Sequence, residues 1–312
     1  MTSLSPQLEC LDTLSRRLVI VTGSAGFIGR RVVARLVDAG VRVVAIDRVP
    51  LPSLLPTGVE YHGVDIAEDF PPQVEPFILV HLAWNMDRAN AEAQATSAAV
   101  FSRLLGLDGL CGVVGLGSAE EYGELEGCLS EDMAPGRHLS AYGRAKHEAC
   151  RALESWSRAS KHRAIWLRPF VVYGPGQGGS MVIPYALKCA KERHSAEFSE
   201  GLQFRDFIHV EDVAAGIVRA ALEIQREGSL FTVCNLGCGV PVKLLDVLER
   251  ISENTGAHRR FHFGARAMRA SEPLEQYAEV AAAETHLGWR AAISWQQGID
   301  ALCKENEKDN HG

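Results

Sequence analysis

Residues 18–29, LVIVTGSAGFIG, decide the fold of this 312-residue chain. The first four form a fully apolar run, which is typical of a strand covered on both faces. Gly23, Gly26 and Gly29 follow, and apolar residues then recur at helical spacing as far as Val37. Glycines allow a tight turn and a close approach to a pyrophosphate, which the N-terminus of the next helix attracts. The spacing is GxxGxxG and not GxGxxG, yet its place between strand and helix favours a dinucleotide site over a simple turn.

The same alternation of strand and helix continues through the first half of the chain. Apolar runs predict further strands at residues 41–46, 77–82, 111–116 and 164–167, and helical patterns occupy 89–105 and 142–157. Because parallel strands need crossover connections, the pattern predicts an α/β fold of the Rossmann type, a doubly wound parallel sheet with helices on both faces.

Beyond residue 175, shorter elements and charged residues dominate the sequence. This change indicates a smaller, mixed α/β lobe towards the C-terminus. We therefore expect a dinucleotide-binding Rossmann domain in residues 17–172 together with about 206–237. Residues 173–205 and 238–312 are expected to form the substrate lobe.

The composition excludes several classes of protein. With 46% hydrophobic and 23% charged residues, the chain is neither a disordered nor a fibrous protein. Its 32 basic and 39 acidic residues leave a net charge of −7, which gives no general attraction to nucleic acid or anionic lipid. The first seventeen residues lack the apolar run of a signal peptide, and no stretch approaches the roughly eighteen apolar residues of a membrane helix. The eight cysteines contain no CxxC pair, so we expect reduced thiols in a cytoplasmic protein without a bound metal.

Two adjacent residues bear on the choice of dinucleotide. Asp47 ends the second predicted strand, eighteen residues after Gly29, where a carboxylate can accept hydrogen bonds from the adenosine ribose. A solvated strand end is the simpler interpretation. Arg48 could instead bind the 2′-phosphate of NADP, so the sequence favours NAD and leaves NADP open.

A second motif, YGRAK, places Tyr142 and Lys146 one helical turn apart on the same face. An unperturbed tyrosine has a pKa of about 10, and a nearby cation favours the phenolate, which makes the group a more useful acid or base. Such pairs are also common on surface helices. Ser118 strengthens the functional interpretation because it follows a buried strand, at the edge where ligands bind to open parallel sheets. Its hydroxyl could bind the same substrate oxygen as Tyr142.

These motifs belong to a longer ordered set. Besides residues 22–29, the set comprises His81-Leu82-Ala83, Ser118-Ala119-Glu120-Glu121-Tyr122-Gly123, Tyr142 with Lys146, residues 168–176 (RPFVVYGPG), residues 205–213 (RDFIHVEDV), Asn235-Leu236-Gly237, Glu272-Pro273 and Leu287-Gly288-Trp289. In this order, over about residues 18–300, the set resembles the extended short-chain dehydrogenase/reductases, the NAD-dependent epimerase/dehydratase family that acts on nucleotide sugars.

The resemblance implies a role for each matching residue. Those implied to bind the cofactor are Gly23, Gly26, Phe27, Ile28, Gly29, Asp47, Asp65, Ile66, Leu82, Ala83, Tyr142, Lys146 and Pro169. Tyr142 is implied to be the acid/base, Lys146 to bind the nicotinamide ribose and tune the tyrosine, and Ser118 to orient the sugar oxygen. The residues expected to contact substrate are Trp84, Ser118, Val171, Arg205 and Glu272.

The cations of the site are few in an acidic protein. Arg205 is implied to reach the diphosphate of the nucleotide, which a guanidinium can bind in a bidentate manner. A surface ion pair with Asp206 or Glu200 is the alternative. Together with Lys146, Arg168 is a further candidate for a cation that faces the two diphosphate ligands.

Two departures from the family pattern bear on the reaction. Ala119 stands where the dTDP-glucose 4,6-dehydratase type has the first acid of an Asp-Glu pair, so only Glu120 remains as a candidate catalytic carboxylate. A single Glu suffices in the GDP-mannose dehydratase type, and a structural role near Tyr122 is equally open for Glu120. Val171 stands where many members have a diphosphate-binding Asn, so backbone amides of residues 176–180 are candidates for that role.

A third feature is similar to the 4-keto-6-deoxysugar reductases, including those of the abequose and 6-deoxytalose pathways. It comprises residues 81–84 (HLAW), residues 117–123 and the tail at 261–265 with Arg269 and Glu272. Trp84 could equally be a hydrophobic wall over the cofactor or part of the core.

We therefore expect a reductase that transfers a hydride from NAD(P)H to C4 of a nucleotide-linked 4-keto-6-deoxyhexose. A 4-epimerase that retains NAD is the alternative, and a 4,6-dehydratase or a non-catalytic dinucleotide sensor is less favoured. The resemblance also implies a homodimer formed through the helices at 89–105 and 142–157, although their apolar faces could equally be internal core.

Overall fold

A computed structural model describes residues 17–50, 55–72, 75–178, 181–268 and 272–308. In chain order the elements are β1 (Leu18–Thr22), α1 (Gly29–Asp38), β2 (Val43–Asp47), β3 (Glu60–Gly63), β4 (Phe77–His81), α2 (Ala91–Leu104), β5 (Leu110–Leu116), a 3₁₀ turn (Ala119–Tyr122), β6 (Gly127–Leu129), α3 (Ala141–Ser160), β7 (Arg163–Pro169), β8 (Val171–Tyr173), α4 (Val182–Lys191), β9 (Ala196–Glu197), β10 (Phe204–Arg205), β11 (Phe207–His209), α5 (Val210–Glu223), β12 (Phe231–Leu236), β13 (Val242–Lys243), α6 (Leu244–Thr255), β14 (Phe261–His262), β15 (Glu275–Ala278), α7 (Ala281–Leu287) and α8 (Trp295–Lys308).

The central sheet is parallel throughout the described chain and has the strand order β12-β7-β5-β4-β1-β2-β3. In β1, Val19 pairs with Val43 on one side and with Ile78 on the other. The chain therefore winds outwards from β1 in one direction and then in the other. This order confirms the predicted doubly wound Rossmann fold, and it adds the edge strands β3 and β12, which the sequence patterns did not predict.

The apolar run of β1 is explained by two separate cores. Val19 and Val21 pack towards α1 and α5, whereas Leu18 and Ile20 pack towards α2 and α3. Every residue of this strand is buried, because side chains alternate between two covered faces. Full burial of a Val, Leu or Ile side chain stabilises the fold by about 1.5–3 kcal/mol, so these faces hold the sheet in place.

The chain beyond the central sheet forms a smaller lobe with its own core. Side chains of α4, α6 and α8, among them Leu187, Leu248 and Ile299, pack together there. A mixed sheet of order β13-β10-β15-β6 lies beside the central sheet and contains antiparallel and parallel pairs. The mixed α/β character of this lobe is as expected, and the predicted domain boundaries stay a prediction.

One buried carboxylate ties the mixed sheet to the chain that leaves the central sheet. Asp206 accepts hydrogen bonds from the backbone amides of Cys238 (2.7 Å), Gly239 (2.8 Å) and Ala278 (3.2 Å). It therefore occupies a structural position and does not pair with Arg205, which was one alternative for that arginine. Within the described ranges, no helix is both long and apolar enough to cross a lipid bilayer.

Candidate functional site

A cleft of about 1350 Å³ opens at the carboxyl ends of β1, β2, β4, β5 and β7. Its wall contains most of the residues that were predicted for cofactor, substrate or catalysis: Gly23, Gly26, Phe27, Ile28, Gly29, Asp47, Arg48, Asp65, Ile66, Leu82, Ala83, Trp84, Ser118, Glu120, Tyr142, Lys146, Pro169, Val171, Arg205 and Glu272. The parallel sheet explains this meeting, because all its carboxyl ends lie along one edge. The individual roles of these residues remain predictions.

The glycine loop is shaped by contacts that leave no room for side chains. Gly23 has φ +70°, and a Cβ there would lie 2.6 Å from the backbone nitrogen of Ala83. A Cβ on Gly29 would collide with the carbonyl oxygen of Gly23. The backbone is thus exposed to the cleft at the start of α1, which is the arrangement that a dinucleotide pyrophosphate requires. The loop fits the predicted cofactor.

An arginine on α1 braces this loop from behind. The guanidinium of Arg31 forms an ion pair with Glu211 on α5 (2.7 Å) and donates hydrogen bonds to the carbonyl oxygens of Phe27 and Pro175 (both 2.7 Å). Pro175 precedes residues 177 and 178, which line the cleft. The side chain therefore joins the glycine loop to the chain that follows β8.

The end of β2 is also ordered by hydrogen bonds. Asp47 accepts hydrogen bonds from the backbone amides of Ala25 (3.0 Å) and Val49 (3.2 Å), so its carboxylate supports the glycine loop directly. Arg48 is exposed beside it on the cleft wall. Both interpretations of this pair of residues, ribose binding and phosphate binding, stay predictions.

Tyr142 lies at the start of α3 with 6% of its surface exposed. Burial raises the pKa of its hydroxyl to about 12, while the charge of Arg88 and a hydrogen bond with Ser118 act in the opposite direction. The Ser118 hydroxyl caps the 3₁₀ turn by accepting a hydrogen bond from the amide of Glu120 (3.1 Å). The phenol and the serine hydroxyl therefore lie next to each other in the cleft, and their joint contact with a substrate oxygen stays a prediction.

Lys146 is buried in the wall of the same cleft, on the same helix as Tyr142. Its ammonium donates a hydrogen bond to the carbonyl oxygen of Leu116 (2.7 Å) and lies 3.6 Å from the centre of the nearer Trp84 ring, against 5.7 Å for the ring of Tyr142. Burial lowers its pKa to about 7, with the charge of Arg88 contributing. Arg88 is the nearer cation to the Tyr142 ring, at 4.7 Å from its centre, and the expectation that Lys146 tunes the tyrosine stays a prediction.

Two consecutive carboxylates have opposite surroundings. Glu120 faces the cleft and accepts hydrogen bonds from Arg88 (2.6 Å) and from the hydroxyl of Ser140 (2.9 Å). Glu121 is fully buried, and its oxygens accept from the Ser118 amide, the Trp166 indole and the Arg168 guanidinium, each at 2.9 Å. The structural carboxylate of this segment is therefore Glu121.

Arg168 consequently does not serve as a cation of the cleft. It points into the protein, where it pairs with Glu121 and donates a hydrogen bond to the Tyr122 hydroxyl (3.2 Å). The Tyr122 hydroxyl in turn donates to Asn235 on β12 (2.7 Å). The expectation that Arg168 faces a ligand is wrong, because a buried charge must be paired and hydrogen-bonded.

Arg205 forms an ion pair with another predicted substrate residue. Its Nη2 lies 3.0 Å from Glu272, and its side chain is 14% exposed. Gln203 also donates to Glu272 (3.2 Å). Neither Asp206 nor Glu200 is the partner that the sequence suggested. Arg269 and residues 179 and 180, which the sequence analysis also singled out, lie outside the described residues.

Sequence reasoning missed two residues that shape the wall after β4. Arg88 lies with its guanidinium carbon 4.7 Å from the centre of the Tyr142 ring. Gln94, buried on α2, accepts a hydrogen bond from the Trp84 indole (2.7 Å) and donates to the carbonyl oxygens of Asn85 (3.0 Å) and Asp87 (2.7 Å). A polar residue on the otherwise apolar buried stripe of α2 was the available signal for Gln94. The sequence offered no comparable signal for Arg88.

Comparison with known proteins agrees with this geometry. A sequence profile of the NAD dependent epimerase/dehydratase family matches residues 19–237. The CDP-abequose synthase of Salmonella muenchen is 26% identical over 93% of this chain and 98% of its own length. The UDP-glucose 4-epimerase of Drosophila melanogaster is 24% identical over 92% and 94%.

Two solved structures extend the comparison. MoeE5, solved in complex with UDP-glucose and NAD, has a TM-score of 0.78 and 28% identity, and the match covers 94% of this chain and 99% of MoeE5. A UDP-glucose 4-epimerase from Thermotoga maritima has a TM-score of 0.80 at 22% identity, with coverage of 94% and 99%, which shows a shared fold.

Proposed function

The chain belongs to the NAD-dependent epimerase/dehydratase family, and from that premise we propose that it is an oxidoreductase acting at C4 of a nucleotide-activated sugar. The reaction we propose is reduction of a nucleotide-linked 4-keto-6-deoxyhexose. The observation that carries the proposal is the meeting of Ser118, Tyr142 and Lys146 with the glycine loop in one cleft. A hydrogen-bonded phenol and hydroxyl beside a dinucleotide loop suit proton transfer to a carbonyl oxygen.

The residues of the chain divide the chemistry between them. Gly23, Gly26 and Gly29 would hold the pyrophosphate of NADH or NADPH, which supplies a hydride to C4 when it is bound. Tyr142 would donate its proton to the C4 oxygen, and Ser118 would stabilise the negative charge that develops there. The raised pKa of Tyr142 keeps the phenol protonated at neutral pH, which is the state that a proton donor in a reduction requires.

The surroundings of Glu120 argue against a 4,6-dehydratase. Elimination of water needs an acid that delivers a proton to the leaving hydroxyl. Ala119 has no acidic group, and both oxygens of Glu120 are engaged, one with Arg88 and the other with Ser140. A reduction needs no such acid. The match to a CDP-abequose synthase, over 93% of this chain, supports an enzyme that acts on nucleotide sugars.

The substrate half of the proposal rests on Arg205. Its guanidinium would bind the diphosphate of the nucleotide, and Trp84, Val171 and Glu272 would complete the sugar-nucleotide site. The names of the relatives, which include UDP-glucose and CDP-linked sugars, support a nucleotide sugar as partner. A homodimer through α2 and α3, and a cytoplasmic location, remain part of the proposal.

The alternative is a 4-epimerase that retains NAD and passes through the same ketone. Matches to UDP-glucose 4-epimerases from several animals, over more than nine-tenths of the chain, favour this second candidate.

Cofactor turnover distinguishes the two reactions. The purified protein is incubated with a nucleotide-linked 4-keto-6-deoxyhexose and either NADH or NADPH, and oxidation of the cofactor is followed by absorbance. A reductase consumes one cofactor for each sugar that is reduced. Epimerisation of a plain UDP-hexose without added cofactor, with neither cofactor consumed in the first assay, would refute the reductase and support the epimerase.

A further inference from the structure

The ion pair between Arg88 and Glu120 lies over the ring of Tyr142. The Arg88 guanidinium carbon is 4.7 Å from the ring centre, and its Nη1 is 2.6 Å from Glu120 Oε1. The two side chains are 38% and 36% exposed, so the pair faces the open cleft. A cation over an aromatic face is attracted by the electrons of the ring, which favours this placement.

Glu120 extends the contact to the start of α3. Its second oxygen accepts a hydrogen bond from the hydroxyl of Ser140 (2.9 Å), which in turn accepts one from the amide of Gly143 (3.0 Å) as the N-cap of α3. Tyr142 lies within this first turn. The pair therefore connects the wall after β4 to the helix turn that carries the phenol.

The segment that presents Arg88 is itself held in place. Gln94 binds the carbonyl oxygens of Asn85 and Asp87, and the amide of Asn85 donates to the hydroxyl of Ser97 (3.3 Å). These contacts fix the backbone immediately before Arg88. An arginine on a fixed backbone can hold a defined position over its neighbour.

The charged groups around Tyr142 come from three elements. Arg88 follows β4, Glu120 and Glu121 belong to the 3₁₀ turn, and Lys146 lies on α3 itself. Lys146 is turned towards Trp84 and the Leu116 carbonyl. Arg88 favours the phenolate and the two glutamates disfavour it, so the two members of the ion pair act on the phenol in opposite directions.

We propose that the Arg88–Glu120 ion pair is a positioning device for Tyr142, which holds the phenol ring in the cleft and sets the electrostatic environment of its hydroxyl. This role rests on the proposed function, in which Tyr142 is the proton donor. Glu120 thereby has a function that is neither an eliminating acid nor a purely structural carboxylate.

Titration of Tyr142 in charge-removing variants tests the proposal without any substrate. Protein labelled with ¹³C at the tyrosine Cζ is titrated by NMR, and the Tyr142 signal is identified by its loss in Tyr142→Phe. Near pH ~11, about one unit below the raised pKa, we expect Glu120→Gln to increase the phenolate fraction about threefold and Arg88→Met to decrease it about threefold. Arg88→Lys should restore most of the wild-type value, because it keeps the charge.

Controls separate this electrostatic role from simple support. Arg144→Met removes an exposed charge from the same helix and should leave the titration unchanged. If Glu120 and Arg88 only braced the helix, both variants would lower the melting temperature and shift the titration in the same direction or not at all, and the proposal would be wrong.

A kinetic measurement gives a second test. In the oxidation direction, the phenolate is the active form. The rising limb of log(kcat/KM) against pH should therefore move to lower pH in Glu120→Gln and to higher pH in Arg88→Met. Limbs that coincide in the two variants would overturn the proposal. Opposite NMR shifts with no turnover of any 4-ketosugar would instead count against the proposed reaction and leave the positioning role supported.

Discussion

The cleft has two halves, one proposed to bind the cofactor and one proposed to bind the substrate, and different chemical groups form them. The cofactor half is mainly backbone, formed by the glycine loop and the ends of parallel strands. The Asp47 carboxylate supports this loop. The substrate half consists of paired charges from distant segments. Arg88 and Glu120 are 32 positions apart, and Arg205 and Glu272 are 67 apart.

The difference shows how each half can respond to a ligand. The shape of the glycine loop follows from the backbone contacts of the fold. Arg88 and Arg205, in the substrate half, are instead paired with Glu120 and Glu272. Under the proposed function, a diphosphate would compete with Glu272 for Arg205, so we expect ion pairs to rearrange there and not at the glycine loop.

The largest effect is expected where the two halves meet. Replacing Tyr142 by Phe removes the proposed proton donor and should lower kcat by about 10²–10⁴-fold, because general acid catalysis is lost. The affinity for cofactor, measured by fluorescence titration with NADH, should change little because the ring remains. Full activity of Tyr142→Phe would remove the basis of the proposed mechanism.

A methyl group on the glycine loop should damage the cofactor half alone. In Gly23→Ala the new Cβ would meet the backbone of Ala83 in a left-handed conformation that costs about 1–2 kcal/mol even without the contact. We expect the KM for NADH to rise about tenfold or more, measured with saturating sugar. Gly58→Ala, at an exposed loop with the same sign of φ and open space around it, is the matched control. If Gly23→Ala raised the KM for the sugar as much as the KM for NADH, the separation of the two halves would be contradicted.

Loss of Arg205 should damage the substrate half alone. Arg205→Ala removes charge-assisted hydrogen bonds worth about 1.5–3 kcal/mol, so the KM for the nucleotide sugar should rise about tenfold to a hundredfold while cofactor affinity is retained. Arg266→Ala removes an exposed cation of the same lobe as a control. An unchanged KM in Arg205→Ala would exclude the arginine from the diphosphate site.

The smallest effect concerns a histidine beneath the cofactor half. His81 is buried, its Nδ1 lies 2.8 Å from the Thr22 hydroxyl, and burial together with the charge of Lys146 lowers its pKa to about 3. The unfolded chain binds this proton near pH 6.5 and the folded protein does not, so stability is lost as the pH falls from about 6.5 towards 3.

At roughly one pH unit below 6.5, we expect the free energy of unfolding to be lower by about 1 kcal/mol. Urea denaturation near pH ~7.5 and ~5.5 measures it as the difference between wild type and His81→Gln, in which the group cannot titrate. An identical slope in wild type and His81→Gln would show that this proton is not excluded from the fold.

The difference between the halves also explains what the sequence could predict. Glycine spacing and apolar runs are local signals, so the loop, the parallel sheet and the convergence of Ser118, Tyr142 and Lys146 followed from them. Ion pairs between distant segments leave no local signal. Arg168 follows a strand in the manner of a site residue, yet its side chain turns inward to Glu121.

The consecutive residues Glu120 and Glu121 are the clearest example of a difference that the sequence could not predict. One faces the cleft and the other is fully buried, because neighbouring positions of a 3₁₀ turn point in different directions. The motif SAEEYG contains both carboxylates but carries no information on which one is buried. Only the position of Trp166 and Arg168 on β7 decides that question.

The three contacts of Arg31 determine how much of the chain a fragment needs to keep the support of the glycine loop. A fragment ending after β7 would hold every glycine of the loop, yet Arg31 would keep only the Phe27 carbonyl and lose Glu211 and Pro175. A fragment of about 170 residues would therefore keep the glycines but lose two of the three contacts that hold Arg31 behind them. A segment that retains all three contacts has to extend into α5, where Glu211 lies.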